Sequence, residues 1–203
     1  MKITSLAGAY CGAITYFVQE GNSAVVIDPA VPPSQFELIL GSPLPPVCAI
    51  LLTHGHFDHI LALDAWRQAT GASVYVHEKD ARCLTDPRYS CFAQFLRENR
   101  CFAPAEFCVQ DGEELPLAVG VRVIHTPGHT EGSVTYLIGG ALFTGDTLFS
   151  DGGIGRTDLP GGSYPAILSS LSRLFERDGR TEVYPGHGSA TTLAAEAGYH
   201  RGY

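Results

Sequence analysis

Seven consecutive residues, Thr53-His54-Gly55-His56-Phe57-Asp58-His59, place three imidazoles and one carboxylate within six positions. Imidazole nitrogen and carboxylate oxygen suit divalent transition metals such as zinc, iron, manganese or nickel better than calcium or magnesium. The cluster directly follows the apolar run 47–52, which reads as a buried strand. Gly55 frees the backbone to turn sharply after that strand. A strand end followed by a tight turn aims several side chains at one point, as a metal requires. Chance capping or solvation explains a single loop histidine, not three at this spacing.

A short loop rarely completes such a site alone, and two other segments share a local design. The extended stretch 121–125 leads into Thr126-Pro127-Gly128-His129, and 181–184 leads into Pro185-Gly186-His187. Pro-Gly sets a type I or II turn, so each imidazole is presented just beyond a strand end. Between them lies Ala141-Leu142-Phe143-Thr144-Gly145-Asp146, another apolar strand closed by Gly and a carboxylate. Alone, Asp146 would read as a turn or cap residue. Beside five histidines it reads as a ligand.

Taken together, His54-x-His56-x-Asp58-His59, Thr126-Pro127-Gly128-His129-Thr130, Gly145-Asp146 and Pro185-Gly186-His187-Gly188 resemble the motif series of the metallo-β-lactamase superfamily, in family order from 53 to 188. The resemblance implies an α+β fold, an αβ/βα sandwich of two mixed β-sheets flanked by helices, with metals at one edge between the sheets. It implies two divalent transition metal ions, zinc foremost and iron or manganese next. His54, His56 and His129 would hold one; Asp58, His59 and His187 the other; Asp146 would bridge. Ile154-Gly155-Arg156-Thr157-Asp158 and Pro185-Gly186-His187-Gly188 with Thr191-Thr192 most resemble compact glyoxalase II-type thioesterases. The implied reaction is hydrolysis of a thioester of a 2-hydroxy acid, such as lactoyl-glutathione, by a metal-bridging hydroxide that Asp58 also helps to orient. Persulfide dioxygenases carry the Gly-Arg-Thr-Asp element too, so a mononuclear Fe(II) oxygenase is the alternative, with other hydrolases of the fold behind it. The sequence ends at Tyr203, leaving no room for the helical domain that holds glutathione in larger glyoxalase II enzymes; the thiol carrier stays open.

Composition fits one domain over 1–203, with 45% hydrophobic residues and mean hydropathy near zero. A net charge of −8 and pI near 5.4 argue against nucleic acid or an anionic membrane as main partner; a small-molecule thioester is the partner that the resemblance implies. No signal-like start and no run of about 20 apolar residues is present, so a cytoplasmic protein is expected. Six scattered cysteines without a Cys-x-x-Cys pair read as reduced and mostly buried or incidental.

The elements that must position these residues follow from apolar periodicity. Strands are expected at 2–7, 13–19, 24–28, 47–52, 73–76, 107–110, 114–117, 120–125, 133–138 and 141–145. Helices are expected at 34–41, 60–70, 78–84, 91–100 and 163–176, with a last turn at 192–197. Asp28, closing Val25-Val26-Ile27, reads equally as a partner orienting a ligand histidine or as a turn aspartate before Pro29. Arg156 is a substrate-binding candidate for a carboxylate, or an ion-pair partner of Asp158. Phe57, Phe149 and Tyr164 are candidate pocket walls. His77, His125 and His200 match no ligand position.

Overall fold

In a computed structural model that describes residues 1–200, the strands are, in chain order, β1 (Lys2–Ala7), β2 (Ile14–Glu20), β3 (Ser23–Ile27), β4 (Val47–Leu51), β5 (Ser73–His77), β6 (Phe107–Val109), β7 (Glu114–Leu115), β8 (Val121–His125), β9 (Val134–Ile138), β10 (Ala141–Gly145), β11 (Glu182–Pro185) and β12 (Thr191–Thr192). The helices are α1 (Pro33–Leu40), α2 (Leu63–Thr70), α3 (Ala81–Thr85), α4 (Phe92–Phe95), α5 (Tyr164–Phe175) and α6 (Leu193–Ala197). One six-stranded sheet runs β1 to β6 in sequence order, antiparallel through β3 and parallel from β3 onward. The second runs β12-β11-β10-β9-β8-β7, antiparallel except for the β10–β11 pair. Both sheets are therefore mixed, as expected.

The burial of β2 to β4 explains the layering. Side chains alternate faces along a strand, and here both faces are apolar, so each must be covered. Phe17, Val26 and Ile50 meet Phe36, Leu63 and Trp66 of α1 and α2. Tyr16, Val18, Val25, Ile27 and Leu51 instead meet Val123, Tyr136 and Phe143 of the other sheet. The outer face of that second sheet, through Ile124, Leu142 and Val183, is covered by Leu171 and Leu174 of α5 and Leu193 of α6. The order is helices, sheet, sheet, helices. Among the described residues no helix is long and apolar enough to cross a membrane.

Three expectations need correction. The helix placed at 60–70 begins at Leu63, because residues 57–59 form a separate 3-10 turn and the Ala62 N–H is taken by Pro29 O at 2.7 Å. The helix placed at 91–100 is only Phe92–Phe95, and Arg97, at φ 57°, lies in the left-handed region soon after it. Thr191–Thr192 pairs with β11 as an edge strand before α6, where only a helical turn was expected.

Candidate metal centre

The parallel strands β3 and β4 end side by side, and so do β10 and β11, at the same edge of the sandwich. The loop after β4 carries His54, His56, Asp58 and His59. Asp28 follows β3, His129 follows β8, Asp146 follows β10 and His187 follows β11. All seven candidate ligands converge there. Ligand atoms of His54, His56 and His129 lie within 4.8 Å of one another, and so do those of Asp58, His59 and His187. Asp146 stands between the two groups: its Oδ2 is 3.5 Å from both His129 Nε2 and His187 Nε2, and its Oδ1 is 3.2 Å from His59 Nε2.

Hydrogen bonds at the far nitrogens fix how the imidazoles face. His129 Nδ1 lies 2.7 Å from Arg156 O and His187 Nδ1 lies 3.0 Å from Cys11 O. A carbonyl only accepts, so both Nδ1 atoms carry the proton and both Nε2 lone pairs point inward. His59 Nδ1 donates to Asp28 Oδ2 at 2.9 Å, with the same result. Thr53 Oγ1 gives its own hydrogen to Asp28 Oδ2 at 2.6 Å, so it accepts from His54 Nδ1 at 3.1 Å. His56 is reversed, with Nδ1 2.8 Å from His129 Nε2. Imidazole nitrogens from several rings thus converge on one space beside the Asp146 carboxylate, a donor set suited to a divalent transition metal. Consistent with that, His54 Nε2 and Asp146 Oδ1 are buried without a hydrogen-bond partner; His56 Nε2, on the other side of its reversed ring, is also unpartnered.

Charge follows the same pattern. Burial, reinforced by neighbouring imidazoles, holds His54 and His56 well below the usual histidine pKa, so both stay neutral. Burial also works to lower His59, but Asp146, Asp58 and Asp28 outweigh it and hold the ring well above its ordinary value. Burial works to raise Asp146, and His59, His129 and His187 outweigh it, keeping the carboxyl ionised far below the usual range. Backbone space is equally committed: a Cβ at Gly186 would collide with Asp146 Oδ1 and come within 2.7 Å of His59 Cε1.

A cavity of about 260 Å³ opens over this cluster, with Phe57, Phe95, Phe149, Leu159, Cys11, Cys91 and Arg156 on its walls. Phe57 and Phe149 are where the sequence placed them. Tyr164 is not on the wall; it is exposed at the start of α5. Phe95, which stacks on Phe57 at 5.5 Å, had no sequence signal, being an ordinary apolar helix residue until α4 is folded onto the loop. Arg156 lines the cavity while its guanidinium pairs with Asp158 through two contacts of 2.7 Å. All six cysteines are free, but only Cys83 and Cys91 are buried, and Cys11 reached the cavity through a loop the sequence left unread. Asp80 was also missed. It is buried behind the site, where burial pushes its carboxyl up and three hydrogen bonds oppose that.

A family model for the metallo-beta-lactamase superfamily matches residues 11–187, and the chain belongs to that superfamily. An uncharacterized protein of Mycobacterium tuberculosis is 38% identical over 97% of this chain and 95% of its own length. Probable metallo-hydrolase YqgX of Bacillus subtilis is 34% identical over 91% and 89%. Hydroxyacylglutathione hydrolase GloC of Haemophilus influenzae is 35% identical over 72% and 71%. Among solved structures, BLEG-1 B3 metallo-beta-lactamase superposes with TM-score 0.91 at 32% identity, covering 98% of both chains. TTHA1623 in a di-iron-bound form gives 0.83 at 33% over 96% of both. ETHE1 from Myxococcus xanthus gives 0.78 at 30%, covering 99% of this chain and 84% of its own.

Proposed function

We propose that this protein is a metal-dependent hydrolase that cleaves a thioester of a 2-hydroxy acid, using two divalent metals held by His54, His56 and His129 and by Asp58, His59 and His187, with Asp146 between them. One observation carries the reading: both ligand groups are complete, and Asp146 reaches toward each of them. The similarity to YqgX and GloC, both named as hydrolases, supports it. Zinc fits the nitrogen-rich donor set best, with iron or manganese next; the relative TTHA1623 is known in a di-iron-bound form. Such cations supply a nucleophilic water near neutral pH and polarise a substrate carbonyl.

The chain's own groups do the rest. Asp28, Arg156 O, Cys11 O and Thr53 Oγ1 hold four imidazoles in the ligating tautomer before any substrate arrives. Asp58 Oδ2, 3.5 Å from His187 Nε2, offers an acceptor that orients the attacking water. Phe57, Phe95, Phe149 and Leu159 exclude bulk water around the acyl group. A thiolate leaves without a dedicated proton donor, and the cavity offers no further histidine for that task.

The second reading, a persulfide dioxygenase with one iron, draws on the likeness to ETHE1. An anaerobic assay separates the two. Hydrolysis needs no oxygen, so lactoyl-glutathione should be cleaved equally well with and without air, and His187→Ala should impair it strongly. Oxygen uptake with a persulfide and no thioester cleavage would overturn the hydrolase assignment.

A further inference from the structure

Asp80 sits at the start of α3, in the position where an aspartate usually accepts from the first backbone N–H groups of its helix. It does not do so; its side chain caps nothing in α3. Instead Oδ2 accepts from Gly55 N at 3.0 Å and from Thr130 Oγ1 at 2.8 Å, and Oδ1 accepts from Gly132 N at 2.9 Å. Gly55 lies between His54 and His56, while Thr130 and Gly132 follow His129. The Thr130 hydroxyl also lies 2.7 Å from Ser133 Oγ, which itself accepts from Thr130 N at 3.0 Å, so the second loop is tied internally as well. The approach is close on both sides: a Cβ on Gly132 would come within 2.6 Å of Asp80 Cγ, and one on Gly55 within 2.9 Å of Cys83 Sγ in α3.

We propose that Asp80 is the positioning residue of the three-histidine group: one buried carboxylate fixes the loop carrying His54 and His56 against the loop carrying His129, and so sets the spacing of those three imidazoles. The inference rests on the metal reading above. It differs from the role of Asp28, which touches a candidate ligand directly through His59 Nδ1. Asp80 reaches only backbone and a hydroxyl, so it acts through loop geometry, and its contacts lie beside His54, His56 and His129 rather than beside Asp58, His59 or His187. An Asn in its place has a single acceptor oxygen, and its amide nitrogen must face a donor. Whichever way the amide turns, its nitrogen faces a backbone N–H, of Gly132 or of Gly55, so one of the ties becomes a repulsive contact.

The test is a cobalt(II) titration of metal-free protein followed by visible absorption, which reports binding without any assay of activity. Wild type should fill in two steps. Asp80→Asn should raise the dissociation constant of the nitrogen-rich step by about 10–100-fold and leave the Asp-containing step unchanged. Thr130→Val removes one donor only and should shift the same step in the same direction by less; it decides the matter if the Asn variant does not fold. Unchanged steps, or equal weakening of both, would overturn the role of Asp80 while leaving the two-metal reading intact. No cobalt bound by wild type would overturn both.

Discussion

The imidazole of His59 and the carboxylate of Asp28 meet at 2.9 Å, 31 residues apart in sequence, and neither is accessible to solvent. The contact gives His59 its tautomer and, together with Asp146 and Asp58, its tendency to attract positive charge. Removing the carboxylate leaves the ring free to present either nitrogen.

Asp28→Ala should therefore weaken metal binding by about 10–100-fold without abolishing it, since no proposed ligand is removed. Competition with a chelator of known affinity measures this. Wild-type affinity in the variant would mean that Asp28 serves only the turn in which it sits at φ 49°.

Asp146→Ala and Asp158→Ala should behave differently, although both lie near the cavity. Asp146 faces both ligand groups, so its loss should lower retention of both metals and reduce turnover by orders of magnitude. Asp158 pairs with the Arg156 side chain at the surface, and its loss should leave the metal content at about two per chain. Elemental analysis of the purified variants tests the pair, and equal metal loss would show that the bridge is misplaced.

Gly186→Ala should be inactive and metal-poor while keeping its fold, because the added methyl enters the space of Asp146 Oδ1. Gly188→Ala, at φ 81° but with only Ser150 Oγ nearby at 3.6 Å, should cost stability rather than metal. Thermal melting with and without metal separates the two outcomes.

His77 supplies a pH dependence independent of the metal centre. Burial first, then His125, stacked parallel at 4.1 Å, brings its pKa down to about 4; Glu78 and Asp111 oppose this weakly and Lys79 adds slightly to it. The unfolded ring takes a proton below about pH 6.5, whereas the folded ring does not until about pH 4. Stability from this group is therefore complete above the unfolded pKa and declines as pH falls through that window. In urea titrations of metal-free protein, His77→Phe should gain on wild type between pH 7 and 4. Parallel curves would contradict it.

What the sequence revealed and what it hid differ by range. The candidate ligands were legible because each follows an apolar strand within one tight turn, a purely local pattern. The alternating strands of both sheets were legible for the same reason. Asp80 was not, because its three donors lie 25, 50 and 52 residues away and two are backbone N–H groups, which carry no residue type. Phe95 and Cys11 were hidden likewise, since nothing in their neighbours shows which surface will face the cavity. Asp28 could be read only as one of two equal options until the ring of His59 was seen against it.

His187 donates its Nδ1 hydrogen to the carbonyl of Cys11, which joins the loop after β1 to the loop after β11. Almost the whole chain must therefore have left the ribosome before the second ligand group can close. A protein halted earlier in synthesis holds at most the three-histidine pocket. Under the proposed two-metal reading, uptake at full stoichiometry would therefore report that synthesis has passed position 187 and that the two loops have met.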